Sequence, residues 1–322
     1  MKVLAQAAVL MLVALASAQA VQAQSCSFDF TDINFGTVTP PLGTAFDSTG
    51  TFTATCTGTR NRVVRVCPNI GSGTGNNNAS ASERYMLNGA TQMKYNFYQD
   101  AARITVWGSF VWPYAPTAPT IDITIGTSGS GTASATVYAR VFPGQPALPP
   151  GTYQSNFSGN HTLVAFQYRN TVAQSCDTIN TTNGVTTPFL ASAVVAPSCS
   201  ISATVLDFGQ ASSTGVAIDG SNTISVTCTS GTPYTIALNG GLANATNPAQ
   251  RRMTATGTTD YVQYGIYRDA ARSLAWGSAS GTTVSGTGTG SAQSFTGYGR
   301  TTAQATPVPR DYSDTVVATV TY

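Results

Sequence analysis

Val262-Gln-Tyr-Gly-Ile-Tyr267 is followed by Arg268-Asp269-Ala-Ala-Arg272. Apolar Val262, Tyr264 and Ile266 alternate with Gln263, Gly265 and Tyr267, the period of a strand with one buried face. The Asp269-Ala-Ala-Arg272 break has the composition of a turn opened by aspartate. The same wording occurs upstream. Tyr98-Gln-Asp100-Ala-Ala-Arg103 and Trp107-Gly108 match Tyr267-Arg-Asp269-Ala-Ala-Arg272 and Trp276-Gly277.

The match extends in both directions. Ser25-Cys26-Ser27 leads to Ile33-Asn-Phe-Gly36, and Ser198-Cys199-Ser200 leads to Leu206-Asp-Phe-Gly209. Thr53-Ala-Thr-Cys56-Thr57 matches Ser225-Val-Thr-Cys228-Thr229, and Pro149-Pro-Gly-Thr-Tyr153 matches the run Pro307 to Tyr312. So many landmarks in one order mark a duplicated unit. The spacing drifts along the chain, so the two copies carry different loop lengths. Val316, Ala318, Val320 and Tyr322 form one apolar face of a last strand. Gly71–Ser82 and Ser278–Ser291, rich in Gly, Ser, Thr and Asn, are expected to be long loops. Many short strands in units of this size predict an all-β protein of two immunoglobulin-like β-sandwich domains in tandem.

Composition agrees. Charged residues make up 9% of the chain, with only Lys2, Lys94 and Glu83 as Lys and Glu, whereas Thr and Val are abundant. Lys and Glu favour helix, and Thr and Val favour strand. A net charge of +2 without a basic run offers nucleic acid no row of phosphate partners. Lys2 followed by the apolar run Ala7–Ala16 and the small-residue sites Ala18-Gln-Ala20 and Val21-Gln-Ala23 predict a secretory signal peptide over 1–23. The expected domains are 24–184 and 185–322.

The six cysteines, Cys26, Cys56, Cys67, Cys176, Cys199 and Cys228, then enter an oxidising compartment, where an even count indicates disulfides. The duplicated pair implies Cys26–Cys56 and Cys199–Cys228, which leaves Cys67–Cys176. Each repeated bridge closes a loop worth about 3–4 kcal/mol in the chain-entropy model. No close ligand pair suggests zinc. His161 is the one histidine and has no counterpart in the second copy, so a nucleophile–histidine site has a single possible base. Asp100 and Asp269 are expected to cap turn N–H groups. No phosphate loop occurs, and neither an enzyme, a cofactor nor a metal is expected.

The Cys…Phe-Gly opening, the Tyr-x-Asp…Trp-Gly centre and the ending Tyr312-Ser-Asp314-Thr-Val-Val-Ala-Thr-Val-Thr-Tyr322 resemble the spore coat protein U domain family. The first copy ends more loosely, in Tyr153-Gln-Ser-Asn-Phe157. This family includes subunits of archaic chaperone–usher pili. A two-domain member resembles the tip subunit, with an N-terminal adhesin domain and a C-terminal pilin domain. The resemblance implies export through the periplasm to the tip of a surface pilus, attachment and biofilm formation. The implied partners are a periplasmic chaperone, an outer-membrane usher and an adjacent pilin that donates a strand. The alternative is a secreted coat or envelope structural protein without an usher.

Two further expectations come from comparing the copies. After Tyr168 the first copy continues through Cys176 and the alternating Phe189, Ala191, Ala193 and Val195, enough for a final strand. The second stops at Tyr322, taken as the equivalent of Tyr168, and is expected to lack that strand. Val316, Ala318, Val320 and Tyr322 would then edge an open groove. After Trp107-Gly108 the first copy carries Phe110, Val111, Trp112 and Tyr114 among prolines, where the second has Ser-Ala-Ser-Gly-Thr-Thr. Stiffened aromatics lose little entropy on contact, so this loop is the expected surface-binding site. Phe142 and Leu148, in the Phe142–Pro150 run, are expected beside it. The resembling tip adhesins imply a hydrophobic or abiotic surface as the ligand.

Overall fold

A computed structural model describes residues 23–39, 43–76, 83–110, 117–169, 174–179 and 184–322. The expected signal peptide, 1–23, lies almost entirely outside them. The first copy supplies β1 Ser25–Phe30, β2 Ile33–Val38, β3 Phe46–Thr57, β4 Val63–Pro68, β5 Arg84–Asn88 and β6 Thr91–Tyr98. It continues with β7 Ile121–Thr124, β8 Ser130–Val141, β9 Gly151–Phe157, β10 Leu163–Arg169, β11 Val185–Thr186 and β12 Phe189–Val195. The second copy supplies β13 Cys199–Ala203, β14 Asp219–Cys228, β15 Pro233–Leu238 and β16 Arg251–Thr254. After these come β17 Tyr261–Tyr267, β18 Val284–Thr287, β19 Ala292–Thr301 and β20 Ala318–Thr321.

The duplication is visible in the sheets. The first domain orders one sheet β1-β3-β8-β6-β5-β9-β12-β2 and the other β11-β10-β4-β7. The second orders its sheets β13-β14-β19-β17-β16 and β18-β15-β20. Strand for strand, β13-β14-β19-β17-β16 repeats β1-β3-β8-β6-β5, and β20-β15-β18 repeats β10-β4-β7. What the first domain has in addition is β9, β12 and β2, with the short β11. β1 and β2 are joined by Thr31-Asp32 alone yet stand at opposite ends of their sheet. That sheet therefore curls back on itself, and β12 is the slat that closes it.

Alternation fills each core. Phe52, Ala54 and Cys56 on β3, and Val137, Ala139 and Val141 on β8, are fully buried. Trp107 and Trp276 occupy the centres, their indole N–H groups donating to Pro68 O (2.8 Å) and Ile236 O (3.0 Å). Beside each lies a buried arginine that serves as a backbone staple. Arg84 donates to the carbonyls of Gly71, Ile70 and Trp107 and to Asn96 Oδ1. Arg251 donates to Asn239, Pro248, Leu238 and Trp276. Burial lowers both guanidinium pKa values, that of Arg84 to about 10. Four oxygen acceptors around each guanidinium make such burial tolerable.

The Asp-Ala-Ala-Arg segments are turns. Asp100 accepts N–H bonds from Ile104 and Thr105, and Asp269 from Ser273 and Leu274. These bonds hold both carboxyls below the ordinary range. Arg103 and Arg272 take the left-handed conformation at φ 59° and 56°. Three disulfides close, Cys26–Cys56, Cys67–Cys176 and Cys199–Cys228.

Three expectations change. Ser278–Ser291 is not all loop, because β18 pairs there with β15. A Gly- and Thr-rich edge strand has too weak a pattern to stand out by itself. β12, which the division expected after residue 184 puts with the second copy, pairs in the first domain's sheet. Tyr322 is not the equivalent of Tyr168. Val164 pairs with Pro68 and Val320 with Ile236, and Pro68 and Ile236 are the matching tryptophan acceptors. Tyr322 thus corresponds to Phe166.

Candidate functional site

The additional strands of the first domain define a slot. β12 runs antiparallel to β9 and parallel to β2, and points Phe189, Ala191, Ala193 and Val195 into the core, each 5% exposed or less. In the second domain the walls of this slot are present and its filling is not. The counterpart of β2 is Leu206–Ala211 and that of β9 is Arg310–Val316, and both run as irregular chain. Tyr153 and Tyr312 anchor the latter alike, donating their hydroxyls to Pro149 O and Val308 O at 2.9 Å.

Between these walls lies a groove of about 510 Å³. Its floor is Ile224, Leu238, Met253, Tyr264 and Ile266, and its walls are Thr204–Phe208 and Tyr312–Val316. Val205 on the rim is 84% exposed. The carboxylate and the phenol of the groove are satisfied from within, whereas the buried Asn222 Oδ1 has no hydrogen-bond partner among the described residues. Asp314 accepts from Leu242 N and Thr315 N, both at 2.8 Å, and from the Tyr264 hydroxyl at 2.7 Å. Burial first, and then Asp314, push the Tyr264 phenol well above its usual range. The groove thus offers apolar side-chain positions between two chain segments with unpaired backbone edges, the surroundings that a β-strand fills.

The four residues expected at the groove edge divide. Val316 and Ala318 line the groove. Val320 instead packs on the core from β20, which pairs with β15 in the opposite sheet, and Tyr322 is exposed. The wall formed by Thr204–Phe208 was not expected. Its signal was the Leu206-Asp-Phe-Gly209 match to β2, whose inward Ile33 and Phe35 correspond to Leu206 and Phe208.

In the first domain, Val111, Trp112 and Tyr114 lie outside the described residues. The base of their loop is fixed. Gly108 N donates to Thr117 O at 2.8 Å, and Phe110 N donates to Asn69 Oδ1 at 2.7 Å. The Phe110 side chain is partly buried against Cys67, Ala165, Cys176 and Ile179. It therefore anchors the loop on the Cys67–Cys176 bridge and is not a free surface ring. Leu148 is 3% exposed in the core and Phe142 is half-buried. Their loop faces the second domain: a Cβ on Gly290 would overlap the Pro146 carbonyl oxygen, and one on Gly231 would touch Pro149. Leu148 is thereby corrected from a surface contact to a core residue, and Phe142 is half-buried at the start of that loop. A run of prolines and apolar residues reads alike for either use.

His161 is part-buried, and its Nδ1 accepts the Gly73 N–H at 3.3 Å. Burial and the Arg84 charge lower its pKa. Among the described residues no cluster of three His, Cys, Asp or Glu could hold a metal ion. No helix among them is long and apolar enough to cross a membrane.

Several known proteins are similar to this chain. Protein U of Myxococcus xanthus is 38% identical over 116 residues, 34% of this chain and 64% of that protein. In fold, the chain is similar to the CsuC–CsuE chaperone–tip adhesion subunit pre-assembly complex of archaic chaperone–usher Csu pili from Acinetobacter baumannii. That match has a TM-score of 0.50 and 16% identity, covering 92% of this chain and 100% of that one. The CupB6 tip adhesin of Pseudomonas aeruginosa matches with a TM-score of 0.38 and 12% identity, covering 92% and 94%. The Spore Coat Protein U domain matches residues 12–159 and again 185–319, one match to each copy of the duplicated unit. The chain belongs to the Spore Coat Protein U domain family.

Proposed function

We propose that this protein is the tip subunit of a chaperone–usher pilus. In this reading the first domain meets a surface, and the second accepts a strand from the adjacent pilin. The observation that carries it is the slot that β12 fills in the first domain and that stands open in the second. A self-sufficient domain ahead of a strand-accepting one suits the end of a fibre. The fold shared with a solved tip subunit supports the same reading. A periplasmic chaperone would occupy the groove before assembly, and an outer-membrane usher would exchange it for the pilin strand.

The surface contact is assigned to the loop of Val111, Trp112 and Tyr114, anchored by Phe110, with a hydrophobic or abiotic surface as ligand. Rings carried by a proline-bearing loop would offer apolar area at low entropic cost. The role is adhesion and, through it, biofilm formation. The test is Trp112→Ser with Tyr114→Ser in fimbriated cells, leaving Phe110 to hold the base. Pili of normal number should lose attachment to hydrophobic plastic. Unchanged attachment refutes the binding loop. Leu206→Asp in the groove wall should remove the subunit from pili, and normal incorporation refutes the strand-accepting reading.

A further inference from the structure

The two slots differ in width at one end. In the first domain Phe189 enters a box of rings, its centroid 4.6 Å from Phe157, 5.1 Å from Phe30 and 5.9 Å from Phe97. The matching residues of the second domain follow from shared anchors. Phe30 ends β1 four residues after Cys26, and Ala203 ends β13 four residues after Cys199. Trp107 N bonds Phe97 O, and Trp276 N bonds Ile266 O. Phe157 lies four residues past Tyr153, and Val316 four past Tyr312. The box of three phenyl rings therefore becomes Ala203, Ile266 and Val316. Beneath it, Phe52 of β3 becomes Ile224 of β14.

Farther along, the lining keeps its size. Tyr95 corresponds to Tyr264. Met86, two residues after the buried Arg84, corresponds to Met253, two after Arg251. Ile33 and Phe35 correspond to Leu206 and Phe208. The groove is thus enlarged where the first inward side chain of a strand would enter, and unchanged where Ala191 and Ala193 sit in the first domain.

We propose that this enlarged end is a specificity pocket, and that the occupant is a strand of another polypeptide. That strand carries an indole-sized ring at its first inward position and small side chains at the next two. It runs antiparallel to Tyr312–Val316, as β12 runs to β9. This rests on reading the groove as a strand acceptor. Size selection follows because apolar interiors tolerate neither voids nor overfilling. A phenyl ring that fills the first domain's box would leave space here, and a methyl group would leave the pocket empty.

The test uses the mature chain and three peptides with charged flanks. One carries this chain's own Phe-Leu-Ala-Ser-Ala-Val-Val from residues 189–195, and the others replace its Phe with Trp or Ala. Binding is read by fluorescence anisotropy and native mass spectrometry. The Trp peptide should bind about tenfold more tightly than the Phe peptide, and the Ala peptide about 100-fold more weakly than Phe. Ala203→Phe with Val316→Phe should reverse the order of Trp and Phe. The wild-type series decides the matter even if that variant does not fold. Equal binding of all three peptides overturns the size rule and leaves the acceptor standing. No binding by any peptide, with the chain monomeric, overturns the acceptor itself. Dimers that exclude all three peptides would show a second copy as the occupant and overturn the foreign strand.

Discussion

Ile33-Asn-Phe-Gly36 is strand, and Leu206-Asp-Phe-Gly209 is not. Their local conformations are nonetheless the same. Asn34 Oδ1 accepts the Gly36 N–H at 2.7 Å and Asp207 Oδ1 accepts the Gly209 N–H at 2.8 Å, with φ 68° and 70° at the two glycines. What differs is the neighbour. β2 has β12 to pair with, and the Leu206 segment faces an open groove. A strand is a property of a pair of segments, and a half of this molecule without its pair keeps the turn and loses the ladder.

The sharpest way to break that comparison is to empty the first slot. Ala193→Asp puts an unpaired carboxylate at a fully buried position of β12. It should cost about 3–5 kcal/mol and remove the first domain's cooperative transition in calorimetry, leaving the second domain's in place. Leu206→Asp, in the open groove, should cost less than about 1.5 kcal/mol in the uncomplemented chain. Equal costs would mean that the two slots are equally filled.

The next largest difference is covalent. Cys67–Cys176 is specific to the first domain and spans 109 residues, against 30 and 29 for the duplicated bridges. In the chain-entropy model its loss costs about 4–5 kcal/mol, against about 3–4 for either of the others. Cys67→Ala with Cys176→Ala, followed by denaturant unfolding, should therefore lower the first domain's midpoint more than Cys26→Ala with Cys56→Ala. It should also loosen the base of the aromatic loop, because Phe110 rests on that bridge.

The sequence made some of this plain and hid the rest. Duplication, strand content and two of the cysteine pairs could be read because they repeat at fixed landmarks, and the third pair is what those two leave over. The groove could be anticipated only as a missing strand, since its second wall becomes a wall through a contact across the sandwich. Leu148 looked like a surface residue because a proline-rich apolar loop has one composition whether it meets water or another domain. The arginine staples were overlooked although Arg84-Tyr-Met86 and Arg251-Arg-Met253 repeat. A lone arginine in a polar chain carries no mark of burial.

Those staples give a prediction in which the domains should agree. Arg84→Met and Arg251→Met each remove four hydrogen bonds beside a buried tryptophan, and each should cost about 3 kcal/mol. The measurement is the shift of each domain's own transition. A difference of more than about 1.5 kcal/mol would show that the second staple depends on a filled groove.

The smallest expected effect lies on the surface and concerns pH. Asp47 holds Arg140 through two bonds of 2.7 and 2.9 Å and Arg103 at 3.3 Å. Asp219 holds Arg300 at 2.6 and 2.8 Å and Arg272 at 3.2 Å. The bonds to Arg140 and Arg300 are the main cause that holds the two carboxyls below the ordinary value. A carboxyl whose pKa is lower in the folded chain binds fewer protons there than in the unfolded chain. Its stabilisation is complete above the unfolded value, near pH 4, and fades as pH falls through the folded value. Both triads are largely open to water, which limits each to less than about 1 kcal/mol. Asp47→Asn and Asp219→Asn should each lower the denaturant midpoint slightly at pH 7, less so in 1 M salt, and not at all near pH 2. The two losses should match, because the triads are copies with the same carboxylate–arginine geometry. A loss at Asp219 that grew when a strand peptide was added would place that triad in communication with the groove and end the equivalence.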